Sequence, residues 1–269
     1  MTPFAQAASI GFAAALGLAL VTWLASLVQR DVSLVDRMWS LLIAAPAAGY
    51  AWALAPAPSL RFEAMALVLA LWAARLAIYV SWRNWGHGED RRYRAIRAAN
   101  EPHFAWKSVY LVFVLQAVLA WIVSTPFLAA AASTAAWTLL DTLGAIIAVL
   151  GFVLETVGDQ QLAAFKGVAA NRGKVMDRGL WRYTRHPNYF GECLVWWGFF
   201  IMGSAAGGWW SVVSPLVMTG LLLKVSGVAL LEKDIGERRP EYRDYVARTN
   251  AFVPGPPRRT GLAKGETAR

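Results

Sequence analysis

The sequence predicts an all-α integral membrane protein: a bundle of about seven transmembrane helices, N-terminus outside and C-terminus cytoplasmic. Three observations predict it. Hydrophobic residues are 57% of the 269, and mean hydropathy is +0.41, which excludes disorder and an ordinary soluble domain. Apolar runs recur at the length of about 20 residues that a bilayer crossing needs. Lys and Arg concentrate in alternate connecting segments, as cytoplasmic loops do.

The runs fall at 8–28, 38–55, 64–82, 108–130, 137–157, 189–205 and 209–231. The first has no basic leader and reads as a spanning helix rather than a cleaved signal peptide. Pro56 and Pro58 turn the chain after the second, and Pro102 precedes the fourth. The sixth is short and carries Glu192; Gly207-Gly208 separates it from the seventh. Residues 232–250 mix charges with Tyr242 and Tyr245 and read as a helix outside the bilayer, against its cytoplasmic face. Residues 1–254 form one transmembrane domain, and the Pro-rich, polar 255–269 is expected to be a disordered tail.

The net charge of +9 sits mainly in two loops and the tail. Residues 83–107 hold Arg83, Arg91, Arg92, Arg94, Arg97 and Lys107; 159–187 hold Lys166, Arg172, Lys174, Arg178, Arg182 and Arg185. Residues 131–136 and 205–208 hold no Lys or Arg. The basic segments therefore face the cytoplasm, where anionic membrane lipid is a partner. No nucleic-acid partner is expected, because topology accounts for the basic charge. The lone Cys193 permits no internal disulfide, and no Cys/His spacing points to a structural metal. Trp39, Trp52, Trp106, Trp137, Trp209 and Trp210 lie near helix ends, as an interfacial belt does. Trp196 and Trp197 lie inside the sixth run and are expected to pack.

Ionisable residues in or beside the spans are Asp36, Arg75, Asp141, Glu155, Asp159, Glu192 and Lys224. Charge in hydrocarbon is costly, so several together point to a polar cavity. Salt bridges bracing helices, to Arg75 or the loop arginines, are the competing reading. Glu155 and Asp159, four residues apart, share one helix face. Pro187 suits the first position of the sixth helix, with Thr184 as a cap. Lys166, Lys174, Arg178, Arg182 and Arg185 surround that start. A phosphorylated dinucleotide suits such a cluster, since helix N-termini and guanidinium groups both favour anions. An ordinary basic loop has the same composition. Pro187 holds His186 extended, for phosphate contact, acid chemistry or a plain loop role. There is no GxGxxG after a strand, no Walker loop, no HExxH and no GxSxG. A nucleotide would be held by the helical bundle itself.

Gly179-Leu180-Trp181-Arg182-Tyr183-Thr184-Arg185-His186-Pro187-Asn188-Tyr189-Phe190-Gly191-Glu192 resembles the signature of membrane steroid 5α-reductases and sterol C=C reductases, above all their bacterial branch. Arg75, Tyr79, Arg83 and Gly88-Glu89-Asp90-Arg91-Arg92-Tyr93 extend the likeness, as do Pro240-Glu241-Tyr242-Arg243-Asp244-Tyr245 and Phe252-Val253-Pro254. It spans roughly 30–255. The resemblance implies seven spanning helices, an NADPH cavity open to the cytoplasm, and hydride delivery to a polarised C=C bond of a lipophilic substrate from the bilayer. By position, Asn188 and Glu192 match the residues at the nicotinamide end. Asp159, Lys166 and Lys174 match an aspartate and two arginines at the adenine-ribose-phosphate part. Arg178, Tyr183, Arg185, His186, Tyr189 and Tyr242 complete the implied cofactor set.

Lysine keeps the charge of those arginines but loses the bidentate fork. The reductases polarise the substrate carbonyl with a glutamate early in the second helix and a tyrosine in the third. Here Asp36 lies near the first position, Trp72 occupies the second, and Tyr79 follows seven residues on. Asp36, Tyr79 and Glu192 are the implied catalytic residues. The isoprenylcysteine carboxyl methyltransferases share a similar Arg-His-Pro-x-Tyr turn but bind S-adenosylmethionine, so a membrane methyltransferase is one alternative. A non-enzymatic lipid-binding or transport protein is the other.

Overall fold

The computed structural model describes residues 1–54, 59–225 and 241–258. Regular structure among them is helical throughout. Pro56, Pro58, residues 232–240 and the tail beyond 258 lie outside the described residues. In chain order the helices are α1 (Pro3–Gln29), α2 (Leu34–Leu54), α3 (Leu60–Arg83), α4 (Arg91–Asn100), α5 (Phe104–Ser108), α6 (Leu115–Val123), α7 (Thr125–Ala131), α8 (Leu139–Gly167), α9 (Pro187–Ala205), α10 (Val213–Gly220) and α11 (Glu241–Arg248). A π-helical turn, Val109–Val114, joins α5 to α6, and Ser124 separates α6 from α7.

Among the described residues, four segments are long and apolar enough to cross a bilayer: α1, α3, Phe104–Val123 and α8. They mark an integral membrane protein. Their outward residues are apolar, among them Val21 and Val28 on α1, Leu67 and Ile78 on α3, and Leu143 and Leu150 on α8. Such faces suit lipid and are costly in water. Where described, the seven runs read from the sequence fall on helical segments except at Ser124, Trp137 and Thr138. α2 and α9 have 21 and 19 residues but carry Asp36, Arg37, Asn188 and Glu192, and they are not among the four.

The chain divides into two compact units: Met1–Ile146 with Trp197–Val217, and Ile147–Trp196 with Met218–Arg269. In the first, Thr2 caps α1 by accepting the Ala5 N–H at 3.2 Å, with Pro3 at the first helical position. A buried stripe of small residues (Ala7, Gly11, Ala15, Ala19, Thr22 and Ser26) lets α2 approach closely. A side chain at Gly11 would collide with the Tyr50 ring. The Tyr50 hydroxyl meets Ser124 Oγ at 2.8 Å, and Ser40 Oγ donates to Ala73 O at 2.8 Å, tying α2 to α3. Arg61 and Asp141 form a buried pair, with Nε–Oδ1 at 2.5 Å and Nη2–Oδ2 at 2.9 Å.

The α1–α2 turn is fastened to the segment after α3. Glu89 accepts both Nε and Nη2 of Arg97, at 2.9 and 2.8 Å, and the Val32 N–H at 3.0 Å. Burial opposes ionisation of Glu89, but these donors and the nearby Arg94 outweigh it and hold the carboxyl below its ordinary value.

In the second unit, Gly151, Gly158 and Gly191 set a close approach of α8 to α9. A Cβ on Gly151 would stand 2.5 Å from Gly191 O, and one on Gly158 would stand 3.1 Å from Asn188 N. Backbone-to-backbone packing of this kind needs small residues.

Candidate functional site

The contact between α8 and α9 in the second unit gathers the polar groups. Glu155 and Asp159 project from one face of α8. Asn188 and Glu192, also four residues apart, lie on the facing turns of α9. Glu155, Asp159 and Glu192 are all buried. Asn188 Nδ2 donates to Asp159 Oδ1 at 3.0 Å. Asn188 Oδ1 is shielded from solvent and accepts no hydrogen bond. A buried carbonyl without a donor costs about 1–3 kcal/mol, so the position favours an incoming N–H or O–H donor.

The loop between the helices is built to present this start of α9. Gly179 has φ +59°, and a Cβ there would stand 2.5 Å from Gln161 Oε1, so glycine is required twice over. Gln161 Oε1 accepts the Leu180 N–H at 2.9 Å, and Trp181 Nε1 donates to Gly158 O at 3.0 Å. His186 is buried, and its ring stacks on Tyr189 at 5.6 Å with 5° between planes.

Arg185 Nη1 donates to Thr249 O at 2.7 Å and Val246 O at 3.3 Å, satisfying carbonyls at the C-terminal end of α11. Thr184 Oγ1 donates to Phe252 O at 2.7 Å, and the Tyr245 hydroxyl donates to Trp181 O at 2.5 Å. Tyr242 is buried with its ring 5.5 Å from that of Tyr245. Tyr183 is half exposed, and its carbonyl accepts the Gly255 N–H at 3.0 Å. These three residues and α11 form the clasp that fixes the loop.

Lys166, Lys174 and Arg178 are exposed. Arg178 lines a polar pocket of about 410 Å³ with Arg182 and Arg248, and Arg248 pairs with Asp177 at 2.5 Å. Arg248 stood out by no local pattern in the sequence, since its partner lies 71 residues earlier.

Asp36 and Tyr79 belong to the first unit. Asp36 Oδ2 accepts Arg92 Nη2 at 2.6 Å, and Oδ1 accepts the Tyr93 hydroxyl at 2.7 Å. Asp36 thus takes two hydrogen bonds, one of them from a cation. The sequence motif contained Arg92 and Tyr93 without assigning them this role. Tyr79 has the guanidinium groups of Arg75 and Arg83 over its ring, at 5.2 and 5.7 Å.

By donor chemistry alone, the groups around α9 would suit a nicotinamide cofactor: a carboxamide N–H₂ would pair with Asn188 Oδ1, and the exposed Lys166, Lys174 and Arg178 would suit phosphate. The family model described as "Protein of unknown function (DUF1295)" matches residues 22–249. An uncharacterized protein of Schizosaccharomyces pombe is 28% identical, over 87% of this chain and 76% of its own length. No solved structure matches. The chain belongs to that DUF1295 family, a steroid 5α-reductase-like membrane family.

Proposed function

We propose that this chain is an NADPH-dependent membrane reductase acting on a C=C bond conjugated to a carbonyl in a lipophilic, steroid- or lipid-like substrate. The observation that carries the reading is Asn188, anchored through Nδ2 on Asp159 and left with a buried acceptor. Bound NADPH would supply a hydride to the carbon β to the carbonyl. Asn188 and Glu192 orient the carboxamide end, with Glu192 as an acceptor one turn further into α9. His186 and Tyr189 form a flat stacked wall at the helix start. Lys166, Lys174 and Arg178 neutralise phosphate. The candidate acids for a developing oxyanion remain Asp36 and Tyr79. One such donor in a dry site contributes roughly 3–4 kcal/mol.

The same reading includes seven spans, an outside N-terminus, and a site open to the cytoplasm of a bacterial inner membrane. The asymmetry of Lys and Arg between loops supports it. The stacked His186–Tyr189 turn favours one second reading, a membrane methyltransferase using S-adenosylmethionine. Melting the purified protein with each cofactor separates the two, because a ligand of the native state raises its melting temperature. Stabilisation by NADPH alone is expected. Stabilisation by S-adenosylmethionine alone selects the methyltransferase, and response to neither removes both.

A further inference from the structure

An apolar groove of about 450 Å³ lies in the first unit between the start of α2 and the end of α3. Its wall is formed by Met38, Leu41, Ala77, Ile78, Trp82 and Trp85, with Arg37 at one end. Arg37 Nη2 donates to Asn84 O at 3.2 Å and lies 3.6 Å from Asp31 Oδ2. Arg37 Nε is shielded from solvent and has no acceptor. Asp31 offsets part of the Arg37 charge, and Arg83 adds a further cation at the same end of α3.

The residues are ordered along the membrane normal. α3 is apolar enough to span, so Ala77 and Ile78 lie one to two turns inside Trp82 and Trp85. On α2, Leu41 lies one turn inward from Arg37. Ile78, Trp82 and Trp85 are strongly exposed, and exposed tryptophans past a span mark the headgroup level. The guanidinium therefore sits at that level, with an apolar channel running inward from it.

We propose that this groove holds an anionic phospholipid of the surrounding bilayer, its phosphate on the exposed edge of the Arg37 guanidinium and one acyl chain along Leu41, Ala77 and Ile78. A cation at the headgroup level above an apolar channel recognises a negatively charged amphiphile and discriminates weakly among acyl chains. A zwitterionic lipid offers the same phosphate, but its ammonium offsets the gain at the cationic end of the groove.

Native mass spectrometry of the detergent-purified protein tests this, with phosphatidylglycerol and phosphatidylethanolamine of identical chains. Phosphatidylglycerol is expected to be retained about fivefold better, the effect of one cation near an anionic headgroup. Arg37→Gln should bring the two lipids level. Ala77→Trp, which fills the channel and leaves Arg37 in place, should remove the adduct. Equal retention by the wild type, or an undiminished adduct on Ala77→Trp, overturns the proposal, whether or not Arg37→Gln folds. So does displacement of the lipid by millimolar inorganic phosphate alone, or a lipid-free dimer that Ala77→Trp dissociates.

Discussion

Asn188 and Asp159 meet at 3.0 Å where α9 begins against α8, and the bond turns the Asn188 carbonyl into a buried acceptor with no donor. One half of the amide is used to position the other half. In the proposed function, that open end is the acceptor offered to the ligand.

If Lys174 faces a 2′-phosphate, removing its charge should be felt only by the phosphorylated cofactor. Lys174→Ala is expected to weaken NADPH about tenfold, near the lower worth of a charged hydrogen bond, and to leave NADH binding unchanged. Titration of both cofactors checks it. Equal losses would assign the lysine a structural part.

The helix contact beneath the site depends on absent side chains. Gly151→Ala would place a methyl 2.5 Å from Gly191 O, and overpacking of this kind costs about 1–3 kcal/mol. Gly17→Ala, in α1 with open space around it, should be neutral or stabilising by up to about 1 kcal/mol. Reversible denaturation in mixed micelles compares the two.

Arg61 and Asp141 should be worth most when only one is removed. Arg61→Met strands a buried carboxylate and is expected to cost about 3–5 kcal/mol, while the double change with Asp141→Leu recovers much of that. A double-mutant cycle on unfolding reads the coupling.

The Glu89 clamp should make the α1–α2 turn sensitive to acid. Its carboxyl is held below its ordinary value, so the folded state favours the ionised form. The stabilisation is present above the unfolded value of 4.5 and is lost as pH falls through the lower folded value. Glu89→Gln should flatten that acid limb, followed by hydrogen exchange of the Val32 amide.

Much of this was legible in the sequence. Apolar runs located the helices because lipid demands continuous apolar faces and internal hydrogen bonding. The convergence of Glu155, Asp159, Asn188 and Glu192 followed from helical spacing on two neighbouring segments. Long-range pairing did not follow. Asp141 finds Arg61, 80 residues earlier, because lateral helix neighbours are set by packing and not by charge content. Arg185 was indistinguishable from the other loop cations, yet it serves the carbonyls of α11. The pairing of Asp36 with Arg92 and Tyr93, 56 and 57 residues later, was likewise set by packing.

The most direct measurement is NADPH binding to the protein in nanodiscs, followed by energy transfer from its tryptophans, for wild type and Asn188→Leu. Saturable binding by the wild type is expected, with affinity reduced at least about tenfold in the variant, as for a lost buried hydrogen bond. A wild type that never saturates, or a leucine variant that binds as tightly, contradicts the assignment.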